Sequence, residues 1–160
     1  MSAKTSAGLL MYRRREGKPE VLIVHPGGPF FKNRDAGVWS IPKGEADDGE
    51  TGEALLEVAK REFAEETGVT PVGDFVYLTS VKNEKTGKVV EVWMFEGDCD
   101  PATIKSNTIS IDWPPRSGQK LEIPEIDRGG FFSPAAAREK LYPYQVPIID
   151  AFAATIKDRP

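Results

Sequence analysis

The run from Thr51 to Gly68 limits the possible folds more than any other stretch of this chain, because its acids do not separate from its apolar residues. Stepping about 100° per residue from Leu55, the positions Leu55, Leu56, Val58, Ala59 and Phe63 fill an arc from about 300° round to about 100°. On the same wheel Glu65 falls at about 280°, Glu62 at about 340° and Glu66 at about 20°, while Glu53, Glu57 and Lys60 take the far side. The spacing predicts a helix over about 51–67, with Thr51 as candidate N-cap and Gly68 as the stop. Its apolar stripe must lie on a core. A solvated acidic face would oppose that stripe, but Glu62, Glu65 and Glu66 continue it. Inward carboxylates at i, i+3 and i+4 repel one another and lose hydration. A hard divalent cation offsets both penalties, so the helix end reads as a metal site.

The rest of the chain supplies the surface for that helix. Gly8–Tyr12 and Val21–His25 are short apolar runs that read as strands, the first ending in Arg13–Arg15 and the second closed by Pro26-Gly27-Gly28-Pro29. Phe75–Lys82 and Lys88–Phe95 read as two more strands, and Gly129–Phe132 as a short one. Ser133-Pro134 starts a helix with Ser133 as N-cap, and a last amphipathic helix spans Val146–Ile156. Strands and helices mix without a repeated βαβ unit, which indicates an α+β fold or a mixed-sheet sandwich. Residues 97–121 show little periodicity and read as a long structured loop inserted in one domain spanning 1–160.

Composition removes several function classes. A net charge of −4 gives no electrostatic case for a nucleic-acid polymer. No apolar run reaches membrane-spanning length. Met1–Ser6 lack the apolar core of a signal peptide, and the single Cys99 rules out an internal disulfide. A cytoplasmic protein, monomeric or homodimeric, is the expectation. His25 is the one histidine and reads as structural, and Cys99 has no triad partners near it in sequence.

Arg61-Glu62-Phe63-Ala64-Glu65-Glu66-Thr67-Gly68-Val69, with Gly44 ahead of it, resembles the signature of the Nudix hydrolases, Gly-x5-Glu-x7-Arg-Glu-(apolar)-x-Glu-Glu-x-Gly-(apolar). The half from Arg61 to Val69 matches at every position. In the other half Gly44-x5-Glu50 fits, but 10 residues then precede Arg61. Glu53-x7-Arg61 also fits, but it puts Asp47 where the signature has glycine. About three extra residues, close to one helical turn, account for both. Either Glu50 or Glu53 is then left to pair with Arg61 in structural support, and Arg61 also has Glu57 and Glu65 at helical spacing.

The resemblance implies a Nudix-type α/β/α sandwich, with a mixed β-sheet between helices. It implies hydrolysis of a nucleoside diphosphate linked to another group, with Mg²⁺ or alternatively Mn²⁺. The Gly44 carbonyl and the Glu62, Glu65 and Glu66 carboxylates would hold metal, with Glu62 as ligand or general base and Glu125 or Glu122 as an extra acid. That chemistry suits a diphosphate, whose adjacent charges repel a water nucleophile until they are neutralised. Lys43, Arg34 and Lys32 are candidate phosphate contacts, Tyr77 or Trp93 a candidate base-stacking platform, and Trp39 a core or lid residue.

Trp39-Ser40-Ile41-Pro42-Lys43-Gly44 is similar to the segment found in diadenosine polyphosphate and diphosphoinositol polyphosphate hydrolases. An acidic chain lacks the dense cationic lining that inositol phosphates require, which favours the former. The expected ligand is a nucleotide or another diphosphate-containing small molecule. Two alternatives remain: a pyrophosphatase that clears damaged nucleoside triphosphates, and a non-catalytic nucleotide sensor of the same fold.

Overall fold

The computed structural model describes residues 4–159; Met1–Ala3 of the N-terminal stretch lie outside the described residues. The strands are β1 (Thr5–Arg15), β2 (Lys18–Pro26), β3 (Lys43–Glu45), β4 (Val76–Lys82), β5 (Val89–Glu96), β6 (Thr108–Asp112), β7 (Lys120–Pro124) and β8 (Ile126–Phe132). The α-helices are α1 (Glu53–Thr67), α2 (Pro134–Lys140) and α3 (Val146–Ile156). The main sheet runs β4-β5-β1-β2-β8, with β3 also paired to β1. It is mixed: β1 is parallel to β5 and antiparallel to β2 and β3.

Alternation along the central strands explains the layers. Ala7, Leu9 and Met11 of β1, with Leu22 and Trp93, join Leu55, Val58, Ala59 and Phe63 of α1 in one core. Leu10, Tyr12, Val21, Ile23, Val90 and Val92 face the other way and meet Ala137, Leu141, Ile148, Ile149 and Phe152. A strand buried on both faces reads as a continuous apolar run, not as an alternation. Each of the Val, Leu, Ile, Met and Phe side chains among these contributes roughly 1.5–3 kcal/mol through burial. The expected architecture, a mixed sheet between helices, is therefore the one formed.

Several boundaries differ from the sequence expectation. β1 continues through Arg13–Arg15, where Arg13 leaves the core to pair with Glu20 and Asp98. The N-cap of α1 is Gly52, which has φ 55° and makes no side-chain cap; Thr51 lies outside the helix and its carbonyl accepts from Ala54 N–H. Gly68 does end the helix, at φ 76° with its N–H donating to the Ala64 carbonyl, a left-handed conformation that other residues adopt at a cost. The segment expected as a loop over 97–121 contains the β6–β7 hairpin, which runs on to Pro124. Of its strand residues only Ile123 is buried, so neither strand shows the alternation that would have marked it.

Candidate metal and phosphate site

Glu62 and Glu66 leave the last turns of α1 towards β3, and Glu65 stands beside them on the same helix. Glu66 is 7% exposed and its Oε1 accepts from Lys43 N–H at 3.4 Å. Glu62 folds beneath Gly44, so closely that a Cβ built on Gly44 would stand 2.1 Å from the Glu62 carboxyl carbon. Only glycine leaves room for that carboxyl, which gives Gly44 a physical reason in this chain. The fourth acid is Glu125, half-buried at the turn between β7 and β8.

A backbone clasp brings Glu125 to the helix. Lys105 N–H donates to the Thr67 carbonyl and Asn107 N–H to the Glu65 carbonyl, capturing two free acceptors at the end of α1. Glu125 N–H donates in turn to the Asn107 carbonyl at 2.9 Å, and Ile126 N–H to Ser106 Oγ at 2.9 Å. Glu122 stands on β7, exposed and opposite Ser110.

The electrostatics fit four acids crowded at one place. Burial, then Glu125 and Glu62, push the Glu66 carboxyl from 4.5 up to about 8, against the opposing pull of Lys43. Burial and then Glu65 raise Glu62, with Arg61 opposing. Burial and then Glu65 also raise Glu125, again against Lys43. Lys43 is thus the cation that faces both Glu66 and Glu125.

Hard oxygen donors that repel one another at half-buried positions suit a divalent cation in chemistry and charge. Among the described residues, no three acidic, histidine or cysteine side chains converge closely enough to enclose an ion. The donors gather around the spot without closing on it.

The other residues singled out from sequence fall in three places. The ion pair of Arg61 among the described residues is with its neighbour Glu62, at 3.6 Å, and not with Glu50, Glu53, Glu57 or Glu65. Glu50 instead accepts from Asp47 N–H, closing the turn before the helix, and Glu53 is exposed. Tyr77 is 52% exposed on β4, donates to Glu91 at 2.6 Å and packs edge-on against Trp93. It lines a cleft of about 560 Å³ with Glu53 and Leu56, at the opposite end of α1 from the acids. Arg34 and Lys32 line a cleft with Trp39, Arg128 and Lys140. Trp39 is a core residue, between His25 and Phe132.

Sequence reasoning missed the aromatic wall. Lys43, Glu66 and Glu125 share a narrow cleft of about 190 Å³ with Tyr142 and Tyr144. The same two tyrosines, with Lys82 and Lys85, line a larger cleft of about 740 Å³. The buried Gln145 fixes this corner: its Oε1 accepts from Ile41 N–H at 3.0 Å, and its Nε2 donates to Ser40 Oγ and the Tyr144 hydroxyl. Tyr142-Pro143-Tyr144 was a visible signal, two aromatics around a proline, but nothing local says which way they face.

Comparison with known proteins identifies the family. A family model described as NUDIX domain matches residues 3–152. The chain belongs to the Nudix family, and we class it as a Nudix hydrolase. No curated protein matches the sequence significantly. Among solved structures it is similar to a Caenorhabditis elegans Ap4A hydrolase binary complex, with TM-score 0.66, 22% identity and coverage of 96% of this chain and 98% of that one. It is also similar to the NUDIX domain of Shewanella oneidensis NrtR complexed with ADP ribose, with TM-score 0.64, 16% identity and 98% and 90% coverage. A mutT/nudix family protein from Listeria innocua gives TM-score 0.59, 15% identity and 99% and 96% coverage. At such identities these likenesses bear on the fold.

No helix among the described residues is long and apolar enough to cross a membrane.

Proposed function

We propose that this chain is a metal-dependent pyrophosphohydrolase, cutting a phosphoanhydride in a nucleoside diphosphate linked to another group, with a dinucleoside polyphosphate as the preferred substrate class. The observation that carries this reading is the crowding of Glu62, Glu66 and Glu125, each desolvated, with Glu65 repelling Glu62 and Glu125 and Lys43 opposing at Glu66 and Glu125. Glu62, Glu65, Glu66 and the Gly44 carbonyl would hold Mg²⁺ or Mn²⁺, with Glu125 as the further acid. When bound, a divalent cation neutralises phosphate charge and lowers the pKa of a water.

The chain's own residues do the remaining work. Lys43 presents an ammonium to the phosphate chain, where a compact cation with three donors tolerates several phosphate positions. Burial, with Glu125 and Glu62, favours a proton on Glu66 at neutral pH, which limits the uncompensated charge among these acids. Glu62 or Glu125, both with raised proton affinity, can take a proton from water. Tyr142 and Tyr144 offer flat faces to a nucleobase beside the acids, a role for which they replace Tyr77. The Ap4A hydrolase among the structural neighbours supports the dinucleoside reading by analogy of fold.

The test is a panel of dinucleoside polyphosphates, nucleoside diphosphate sugars and ordinary and oxidised nucleoside triphosphates. It is incubated with the purified chain in Mg²⁺ or Mn²⁺, and products are separated by chromatography. We expect cleavage of a dinucleoside polyphosphate, lost on adding EDTA. Turnover confined to oxidised triphosphates would move the substrate to the nucleotide-clearing alternative. Binding without any turnover by the folded protein would overturn the enzyme reading in favour of a sensor.

A further inference from the structure

A second charged cleft, of about 530 Å³, is lined by Trp39, whose chain neighbours Val38 and Ser40 line the acid-lined one. Its lining draws Lys32, Arg34 and Asp35 from the loop after β2, Trp39 from the following segment, Arg128 from β8 and Lys140 from the end of α2. Four cations thus converge from three segments of an acidic chain, which is why composition gave no hint of them. We infer that this cleft is a polyphosphate-binding site, the seat of a short chain of phosphates.

The cations are held by a built frame. Fully buried His25 donates from Nε2 to the Arg34 carbonyl at 2.6 Å, and its Nδ1 lies 2.9 Å from Asp127 and 3.2 Å from Arg128. One imidazole therefore fixes the loop that bears Arg34 and the strand that bears Arg128. Trp39 forms the floor, donating from Nε1 to Asp35 at 2.7 Å, with the Arg128 guanidinium and the Lys140 ammonium each 5.3 Å from its ring.

Two of the cations already have partners: Lys140 binds both Asp35 oxygens, at 3.0 and 3.1 Å, and Arg128 lies 3.3 Å from Asp127. Lys32 and Arg34 make no ion pair among the described residues, and the Arg34 guanidinium stands 5.7 Å from the Phe31 ring centre. The lining holds four cations against Asp35, so it favours an anion that spans several donors over a single carboxylate.

Its position suggests which phosphates it takes. Tyr142 N–H donates to the Trp39 carbonyl, and Arg34 acts electrostatically on the Tyr142 hydroxyl, at the wall of the acid-lined cleft. The cleft is therefore placed to hold the distal phosphates of the substrate cut beside Glu66, a step that rests on the reading proposed above. Binding of a phosphate chain does not depend on it.

The experiment is calorimetric titration of the full chain with inorganic tripolyphosphate and, separately, with a nucleoside triphosphate, both in EDTA. We expect saturable binding that weakens roughly tenfold in Arg128→Gln and in Lys32→Gln, the scale of one lost charge-assisted contact. Arg128→Lys, which keeps the charge, should recover most of it and exclude a folding defect. Arg128→Gln should weaken tripolyphosphate binding by the same factor in a Lys43→Gln background, because independent sites contribute additively, and this separates the cleft from the acid-lined one. Equal binding of both probes assigns the cleft to the phosphate chain alone. Tighter binding of the nucleotide, equally sensitive to Arg128→Gln, adds a nucleoside contact and supports the same site. Absence of tripolyphosphate binding, or affinity unchanged in both Arg128→Gln and Lys32→Gln, overturns the inference. So does inorganic monophosphate competing on equal terms.

Discussion

At the C-terminal end of α1, Glu66 is 7% exposed, Glu62 lies under Gly44, and the free carbonyls of Glu65 and Thr67 are taken by residues 105 and 107. At the N-terminal end Glu53 is in solvent, Glu50 closes an exposed turn, and Gly52 begins the helix with no side-chain cap. Residue type is the same at both ends. What differs is enclosure: β3 and the 105–107 clasp surround one set of carboxylates, and water surrounds the other. A glutamate near a helix N-terminus is mildly stabilised by the helix dipole, whereas an inward one near the C-terminus meets the unfavourable end as well as desolvation. On the function proposed above, the enclosed acids are the ones a bound cation would compensate, and the solvated N-terminal acids are not.

The strongest way to break the comparison is Glu66→Gln. The amide keeps the size of the side chain and an acceptor for Lys43 N–H but removes the group that can ionise. Turnover of the best substrate with Mg²⁺ should fall by roughly 10²- to 10⁴-fold, the span seen when one proton-transferring or charge-stabilising group is removed. The same variant should melt close to the parent in EDTA at neutral pH, where Glu66 is mostly protonated, and no lower than the parent above about pH 8, where an ionised Glu66 would be repelled by Glu125 and Glu62. Full turnover would remove Glu66 from the site. Loss of turnover together with collapse of the fold would make its role structural.

The next effect is a dependence of stability on pH. Burial first, then Glu125 and Glu62, raise the folded-state value of Glu66 above 4.5 to about 8. The folded chain therefore holds a proton that the unfolded chain releases over that interval. The stability associated with this group is fully present below about pH 4.5 and declines as pH climbs through about 8, by a few kcal/mol at most. Metal-free protein melted at a series of pH values should show that decline. Mg²⁺ or Mn²⁺, by binding the ionised cluster, should flatten it. A metal-free profile that rises across the same interval would mean that the carboxylate is already compensated within the chain.

How much of this was legible in the sequence follows from where the information resides. The inward face of α1 could be read because helical periodicity ties residue spacing to direction, and Phe63 and Val58 fix which side is the core. Strands β1, β2, β4, β5 and β8 and the last helix were also readable, since their apolar runs match what they bury, and Val146–Ile156 falls on the expected boundaries. Glu125 and Glu122 could not be separated from spacing, because the choice depends on the Asn107 carbonyl accepting from Glu125 N–H and the Ser106 hydroxyl accepting from Ile126 N–H, the latter a partner 20 residues upstream. The hairpin itself was hidden by its exposure. The direction in which Tyr142 and Tyr144 face and the convergence of the four cations were hidden for another reason: each arises from segments that meet only in three dimensions.

The smallest expected effect sharpens the N-terminal half of the comparison. The Nudix signature leaves Glu50 and Glu53 as rival partners for Arg61, but among the described residues the ion pair of Arg61 is with Glu62, and its side chain is 58% exposed. If neither acid supports Arg61, Glu53→Ala removes only an exposed first-turn charge and the weak dipole interaction that goes with it. Turnover should stay within about twofold, and Tm within about 2 °C, as for a surface substitution away from special contacts. Glu50→Ala removes an acceptor for Asp47 N–H and should cost slightly more in Tm, again without a tenfold loss of turnover. A loss of turnover in Glu53→Ala comparable to that in Glu66→Gln would show that the exposed end of α1 turns inward during the reaction. The contrast between the two ends would then belong to the resting protein alone.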